Sequence, residues 1–242
     1  MQLRNLTGRL LLTVAALGTQ LGLAESIGIN FVGLKPDSQT LAPDDEAGAK
    51  DVAQTHWNNM TIENSDPNGH NNRGTLDKVV NSDGDTVKSM PVTVEATRET
   101  KVYATNAVSW GFKGTDLTLQ SGQIHPQPRI TVTNIPYDHY GVYVYLGAGN
   151  NKGLGKVSIR KPENAKGAVS RPATYYYLLN WQKGQFKQSR AESLEEAKKA
   201  GGGNCVYFGG NSADSFIIET DGLLGQGWTG VTGLQIVEIH AP

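Results

Sequence analysis

Cysteine is almost absent: the 242-residue chain holds one, Cys205. A lone cysteine closes no internal disulfide, so a chain of this size rests on its hydrophobic core. Asn-Cys-Val-Tyr-Phe reads as a strand in which Cys205 is a small buried hydrophobe rather than a nucleophile. Paired C-x-x-C and H-E-x-x-H are both missing, which excludes the common zinc signatures. The five histidines, at 56, 70, 125, 139 and 240, have no metal-ligand spacing. There is no G-x-S-x-G elbow, and no papain-like setting around the cysteine. The one S-x-x-K match, Ser158 to Lys161, lies in a strand pattern, where a spacing of three puts the two side chains on opposite faces. The glycine-rich tracts Gly147–Gly155 and Gly201–Gly203 lack G-K-[ST] and read as hairpin and loop glycines, not phosphate loops.

Excess charge is lacking too. The formal charge is −1, with no basic patch or acidic tail, so nucleic acid and anionic membrane are excluded as electrostatic partners. Long apolar runs are confined to the beginning. Arg4 and Arg9 precede a hydrophobic stretch from Leu10 to Leu23, and Gly22-Leu23-Ala24 supplies small-x-small. That layout reads as a secretory signal peptide over residues 1–24, since Gly18, Thr19, Gln20 and Gly22 interrupt the run below membrane-span length. Cleavage after Ala24 removes Arg4 and Arg9 and leaves 20 basic against 23 acidic residues, a charge of −3. The expected product is secreted or cell-surface, with no membrane span in its mature part.

Helical periodicity is scarce, and what replaces it is alternation. Ser26–Gly33, Thr93–Thr97, Lys101–Ala104, Arg129–Ile135, Val142–Leu146, Lys156–Arg160, Ala173–Leu179, Cys205–Phe208, Ser215–Thr220 and Leu234–Ile239 are short β-branched or aromatic runs punctuated by Gly, Asn, Asp and Pro. Glu192–Ala200, ending at Gly201, is the one segment with helical propensity and reads as a helical turn in a loop. Leu34–Lys50, with Pro36 and Pro43, reads as loop. The fold class predicted is all-β: a jelly-roll-like antiparallel β-sandwich with one short helical turn, as a single domain over 25–242.

Four constellations are chemically suggestive. Trp57-Asn58-Asn59 combines an aromatic ring, which stacks on the apolar face of a pyranose, with amides that both donate and accept. Trp110, Trp181 and Trp228 are further rings near loops. Asp138-His139, between Tyr137 and Tyr140, sits in a connection between strands, where sites on sandwiches form; a polar turn explains the same residues. Asp66 and Asn68, and separately Asp83 and Asp85, lie in oxygen-rich segments that are candidates for structural calcium; neither segment has the downstream Glu of an EF-hand, and the plainer reading of Asp83-Gly84-Asp85 is a hairpin turn.

Ser26–Gly33, Trp57-Asn58-Asn59, Ile135–Leu146, Asn204–Ile218 and Gly233–Val237 together resemble a family of bacterial secreted β-sandwich modules, similar to galactose-binding-like and carbohydrate-binding jelly rolls of the PEP-sorted exoprotein type, though without the sorting tail. The resemblance implies an exported, non-catalytic module that binds carbohydrate or another extracellular surface, its partner a glycan or cell-surface polymer. Trp57, Asn58, Asn59, Asp138, His139 and Trp228 are the candidate ligand residues. As a marker of the fold, Trp57-Asn58-Asn59 has a structural alternative, in which the indole packs on the opening strand and the amides satisfy loop carbonyls. Two other functions remain open: self-association into a surface layer or filament through free strand edges, and a polysaccharide hydrolase or lyase using His139 or His56 with a nearby Tyr.

Overall fold

A computed structural model describes residues 24–33, 39–62, 73–87, 90–96, 101–125, 127–150, 152–180, 183–222 and 228–240. The chain forms, in order, β1 (Ser26–Val32), β2 (Asn58–Thr61), β3 (Gly74–Leu76), β4 (Val79–Val80), β5 (Thr86–Val87), β6 (Val92–Ala96), β7 (Lys101–Ala104), α1 (Gly114–Ser121), β8 (Gly122–His125), β9 (Pro128–Thr133), β10 (Tyr140–Ala148), β11 (Gly153–Arg160), β12 (Thr174–Leu179), β13 (Gln188–Ser189), α2 (Leu194–Lys199), β14 (Cys205–Asn211), β15 (Ser215–Gly222) and β16 (Thr229–Glu238). One sheet runs β13-β14-β10-β16-β1-β2, with β8 also on β16 and β7 on β8; a second runs β12-β11-β15-β9-β6-β3; and β4 and β5 pair with each other in a small hairpin. This is the all-β sandwich expected from the alternation.

The period-two pattern explains the layers. Ile27, Ile29 and Phe31 of β1, Val142, Val144 and Leu146 of β10, and Leu234 and Ile236 of β16 enter one core with Ile130 and Val132 of β9, Val157 and Ile159 of β11, and Phe216 and Ile218 of β15. All are buried. Each such side chain contributes about 1.5–3 kcal/mol relative to exposure.

The structure departs from the sequence expectation in four respects. Two strand pairs, β1–β2 and β13–β14, are parallel. Among the described residues there are two complete helices rather than one helical turn. The expected one is α2, whose N-cap Ser193 accepts from the Glu196 N–H at 3.2 Å while the Glu196 carboxylate accepts from the Glu192 N–H at 2.8 Å. The unexpected one, α1, carries Gly114, two Thr and no side-chain cap, so nothing local announces it. Gly147–Gly155 is not a hairpin, since β10 and β11 belong to different sheets and the tract carries the chain across the sandwich. Asn58 and Asn59, in a loop-like stretch, begin β2.

The parallel β1–β2 pair fixes what covers the first sheet. Parallel neighbours require a long crossover, and here residues 33–57 supply it. Leu41, Ala47 and Trp57 of that segment join Leu119 of α1, Tyr145 and Cys205 in a second, smaller core on the sheet's outer face. Cys205 is buried, as expected, and desolvation pushes its thiol up to about 12.

Candidate functional site

Trp57 of the Trp57-Asn58-Asn59 motif lies within this second core, and Asn58 and Asn59 follow it into β2. Trp57 is 4% exposed, and its indole N–H donates to the carbonyls of Gln54 at 3.0 Å and Ala47 at 3.3 Å. The ring lies over Gly28 of β1, where an added Cβ would stand 2.7 Å from Trp57 Cε3. That contact accounts for the glycine in Ser-Ile-Gly-Ile-Asn. Asn58 Nδ2 donates to the carbonyls of Gly28 and Val80, both at 2.8 Å, and its Oδ1 accepts from the Val80 N–H at 2.8 Å. Asn59 Oδ1 accepts from Asn30 Nδ2 at 2.8 Å and from the Leu41 N–H at 3.0 Å, and its Nδ2 donates to the Leu41 carbonyl at 2.8 Å. All three side chains are therefore engaged with backbone and neighbours. The expectation that Trp57 offers a face to ligand is corrected by its burial, and the structural alternative describes the geometry.

Asp83 and Asp85 flank the β4–β5 turn. Asn81 Oδ1 accepts from the N–H groups of Asp83 at 3.1 Å and Asp85 at 2.8 Å, and the Gly84 N–H donates to the Asn81 carbonyl at 3.0 Å. Gly84 has φ +86, and a Cβ there would meet the His56 ring at 3.0 Å. This is the hairpin reading of the segment. Among the described residues no group of three His, Cys, Asp or Glu side chains is placed to hold a metal ion. Asp66 and Asn68 lie outside the described residues, as does Trp181.

Asp138 and His139 are exposed just before β10. Tyr137 beside them is buried, and its hydroxyl, whose pKa burial raises, has no hydrogen-bond partner. His56 Nδ1 stands 3.0 Å from both Thr55 Oγ1 and the Ser82 carbonyl. Neither histidine forms a hydrogen bond with a tyrosine or carboxylate, so no acid–base pair is assembled at either one among the described residues. Trp110 is fully buried.

Trp228 is the exception, at 60% exposed. It precedes β16, and Tyr140 pairs with Glu238 while Ala148 pairs with Thr229. Asp138-His139 and Trp228 thus sit at opposite ends of the β10–β16 ladder, roughly 27 Å apart at about 3.4 Å per residue. The six candidate ligand residues fall into three separate places.

Around Trp228 the fold gathers two rings that the sequence left unremarked. His125, at the end of β8, stacks on the indole with centroids 5.7 Å apart and planes 18° apart. Tyr103 of β7 meets both rings edge-on, at 5.6 Å to His125 and 5.9 Å to Trp228. The cross-strand register Tyr103↔Gln123 and Lys101↔His125 brings β7 alongside β8. The Trp228 carbonyl accepts from the Gly149 N–H at 3.0 Å and from the buried Gln123 Nε2 at 3.3 Å, which anchors the residue's main chain. His125 Nδ1 lies 3.0 Å from the Thr229 carbonyl. A carbonyl only accepts, so Nδ1 carries the proton and the neutral ring keeps Nε2 as an acceptor. Burial lowers the His125 pKa, against the raising effect of that carbonyl. One face of the indole is thus covered by an imidazole and the edges by a phenol, in an aromatic platform at one end of the sandwich. The signal available in the sequence was composition alone, since Tyr103, His125 and Trp228 are far apart along the chain.

Comparison with protein-family models, with curated proteins and with solved structures finds no match. No helix among the described residues is long and apolar enough to cross a membrane.

Proposed function

We propose that this chain is an exported, non-catalytic β-sandwich that binds carbohydrate or another extracellular surface, with the Trp228 platform as its contact. The observation carrying this reading is a single one: an indole 60% exposed, stacked on His125 and edged by Tyr103. A large aromatic held against neighbouring rings and open to solvent is well suited to the C–H face of a pyranose. Polar partners are at hand in the His125 Nε2 acceptor and the exposed Asn150. The secreted β-sandwich modules that the sequence resembles lend the reading its ligand class.

Two features favour binding over the rival readings. The outermost strands are short or partly covered: β13 has two residues, β3 three, β2 and β7 four each, and the longer β12 is bridged by Ala191, whose carbonyl accepts from the Tyr176 N–H at 2.8 Å. Such edges offer little template for strand-to-strand assembly. The hydrolase or lyase reading needs an acid and a base in mutual reach, and among the described residues neither His56 nor His139 forms a hydrogen bond with a tyrosine or carboxylate.

The test is a glycan array probed with wild type and Trp228→Ala. Removing one central aromatic anchor costs about 2 kcal/mol, roughly 30-fold in affinity. An unchanged binding profile in a folded Trp228→Ala protein would defeat the proposal, as would the absence of any glycan or cell-surface ligand for wild type.

A further inference from the structure

A groove on the other sheet has the form of a second, differently built binding site. Its volume is about 450 Å³, within the range of small-molecule sites. Thr131 and Thr133 of β9 and Ile217 of β15 form the floor, on the outer face of the sheet. One wall is the turn Pro162–Ala165, closed by the Ala165 N–H donating to the Pro162 carbonyl at 3.1 Å, with Asn164 at its tip. The facing wall is Asn134 and Asp214.

The walls are fixed to each other. Asp214 accepts the Lys166 N–H on Oδ1 at 3.2 Å, its own N–H donates to the Lys166 carbonyl at 3.3 Å, and its carbonyl accepts from the Ile135 N–H at 3.0 Å. Asn134 holds a left-handed backbone, φ 57, between these bonds, a conformation uncommon outside glycine. A ligand would therefore enter a preformed groove and meet little ordering cost.

The lining selects a ligand class. Two amides offer donors and acceptors together, Asp214 offers acceptors, and the threonines add hydroxyls beside methyl groups, with Ile217 as an apolar strip. Arg129 at one end is ion-paired at 2.8 Å with Glu219, a carboxylate that also holds Arg160 at 3.1 Å, while Asp214 on the facing wall carries the opposite charge, so the lining's own cation and anion balance and favour neither a cationic nor an anionic ligand. β9 begins three residues after His125, the ring stacked on Trp228, and runs away from that end of the sandwich, so Thr133 lies toward the end where β10 starts, remote from Trp228. We infer that this groove is a saccharide subsite for a neutral hexose unit, independent of the aromatic platform. Only the choice of saccharide class rests on the function proposed above.

The experiment follows backbone amides by ¹⁵N–¹H NMR while cellobiose, maltose, lactose and glucuronic acid are titrated into wild type, Trp228→Ala, Thr131→Trp and Asn164→Ala. Thr131 is on the outer sheet face and Asn164 is exposed, so both variants leave the core untouched. At least one neutral disaccharide is expected to shift the amides of Thr131, Thr133, Asn164 and Ser215 in wild type and equally in Trp228→Ala. Filling the groove in Thr131→Trp is expected to weaken that response by about tenfold or more, and Asn164→Ala to weaken it less. Sugars that move the Trp228 indole N–H but no groove amide would overturn the subsite and leave the proposed function standing. A groove response unchanged in Thr131→Trp, or given by glucuronic acid alone, would overturn the site or its ligand class. Silence at both places would overturn both readings.

Discussion

The contact between Trp57 and Gly28 can be tested by a thermodynamic cycle. Trp57→Ala removes a buried indole and its two hydrogen bonds, at a cost of about 3–5 kcal/mol for the cavity. Gly28→Ala adds one methyl group where the Trp57 ring lies, 2.7 Å from Cε3, and overpacking of this kind costs about 1–3 kcal/mol. If the indole is the obstacle, that cost vanishes once the indole is gone. The next nearest group is Gln54 Nε2 at 2.9 Å, the far end of a flexible side chain. In the Trp57→Ala background, Gly28→Ala is then expected to be neutral or stabilising by up to about 1 kcal/mol, because alanine loses less backbone entropy than glycine. The coupling expected between the two substitutions is at least about 1 kcal/mol, well outside the usual additivity error. Urea unfolding followed by circular dichroism gives all four stabilities without relying on tryptophan fluorescence. An equal cost for Gly28→Ala in both backgrounds would refute the packing argument. Loss of glycan binding in Trp57→Ala with stability unchanged would instead restore Trp57 as a ligand residue.

Three further outcomes are expected. Asn58→Ala leaves the Gly28 and Val80 carbonyls and the Val80 N–H without their partner, so a loss of about 2–4 kcal/mol is expected, together with faster hydrogen exchange at Val80; an effect below about 1 kcal/mol would show the amide is dispensable. His125 has a folded pKa below its ordinary 6.5, so as the pH falls through about 6.5 the unfolded chain takes up the proton first. Stability should therefore decline from neutral pH downward until the pH passes the folded value, and the decline should disappear from His125→Phe; a wild-type profile that overlays the variant's would contradict the burial of that ring. The Cys205 thiol, pushed up to about 12 by burial, should resist a thiol reagent at pH 8 in the native protein and react fully in urea, and rapid native labelling would show the second core to be open.

The two-layer sandwich was legible because alternation with period two is a local property. Each of the ten strands named from the sequence needed only its own residues, and the helix at Leu194–Lys199 carried its cap and charges within a few positions. Short elements escaped for the converse reason. β4, β5 and β13 have two residues each and exist only because a partner strand lies beside them. α1 has Gly and Thr where a helix prefers Ala or Leu, and is held by Asp116 accepting from the Gly48 N–H and by Leu119 in the second core. The parallel pairing of β1 and β2 was equally out of reach, since pairing direction is a relation between distant segments.

What the sequence by itself determined is therefore the fold class, the burial of the lone cysteine and the turn at Asp83–Asp85. These follow from hydrophobic periodicity, residue size and the ability of Asn and Gly to bend the chain. Only the tertiary structure decided between the two meanings of tryptophan. Trp57 and Trp228 sit in similarly polar stretches, yet one covers Gly28 of β1 and the other stands in solvent on His125. Whether a ring is core or contact depends on which strands the crossover returns beside, and that is set by packing across the whole sandwich rather than by any neighbour in the chain.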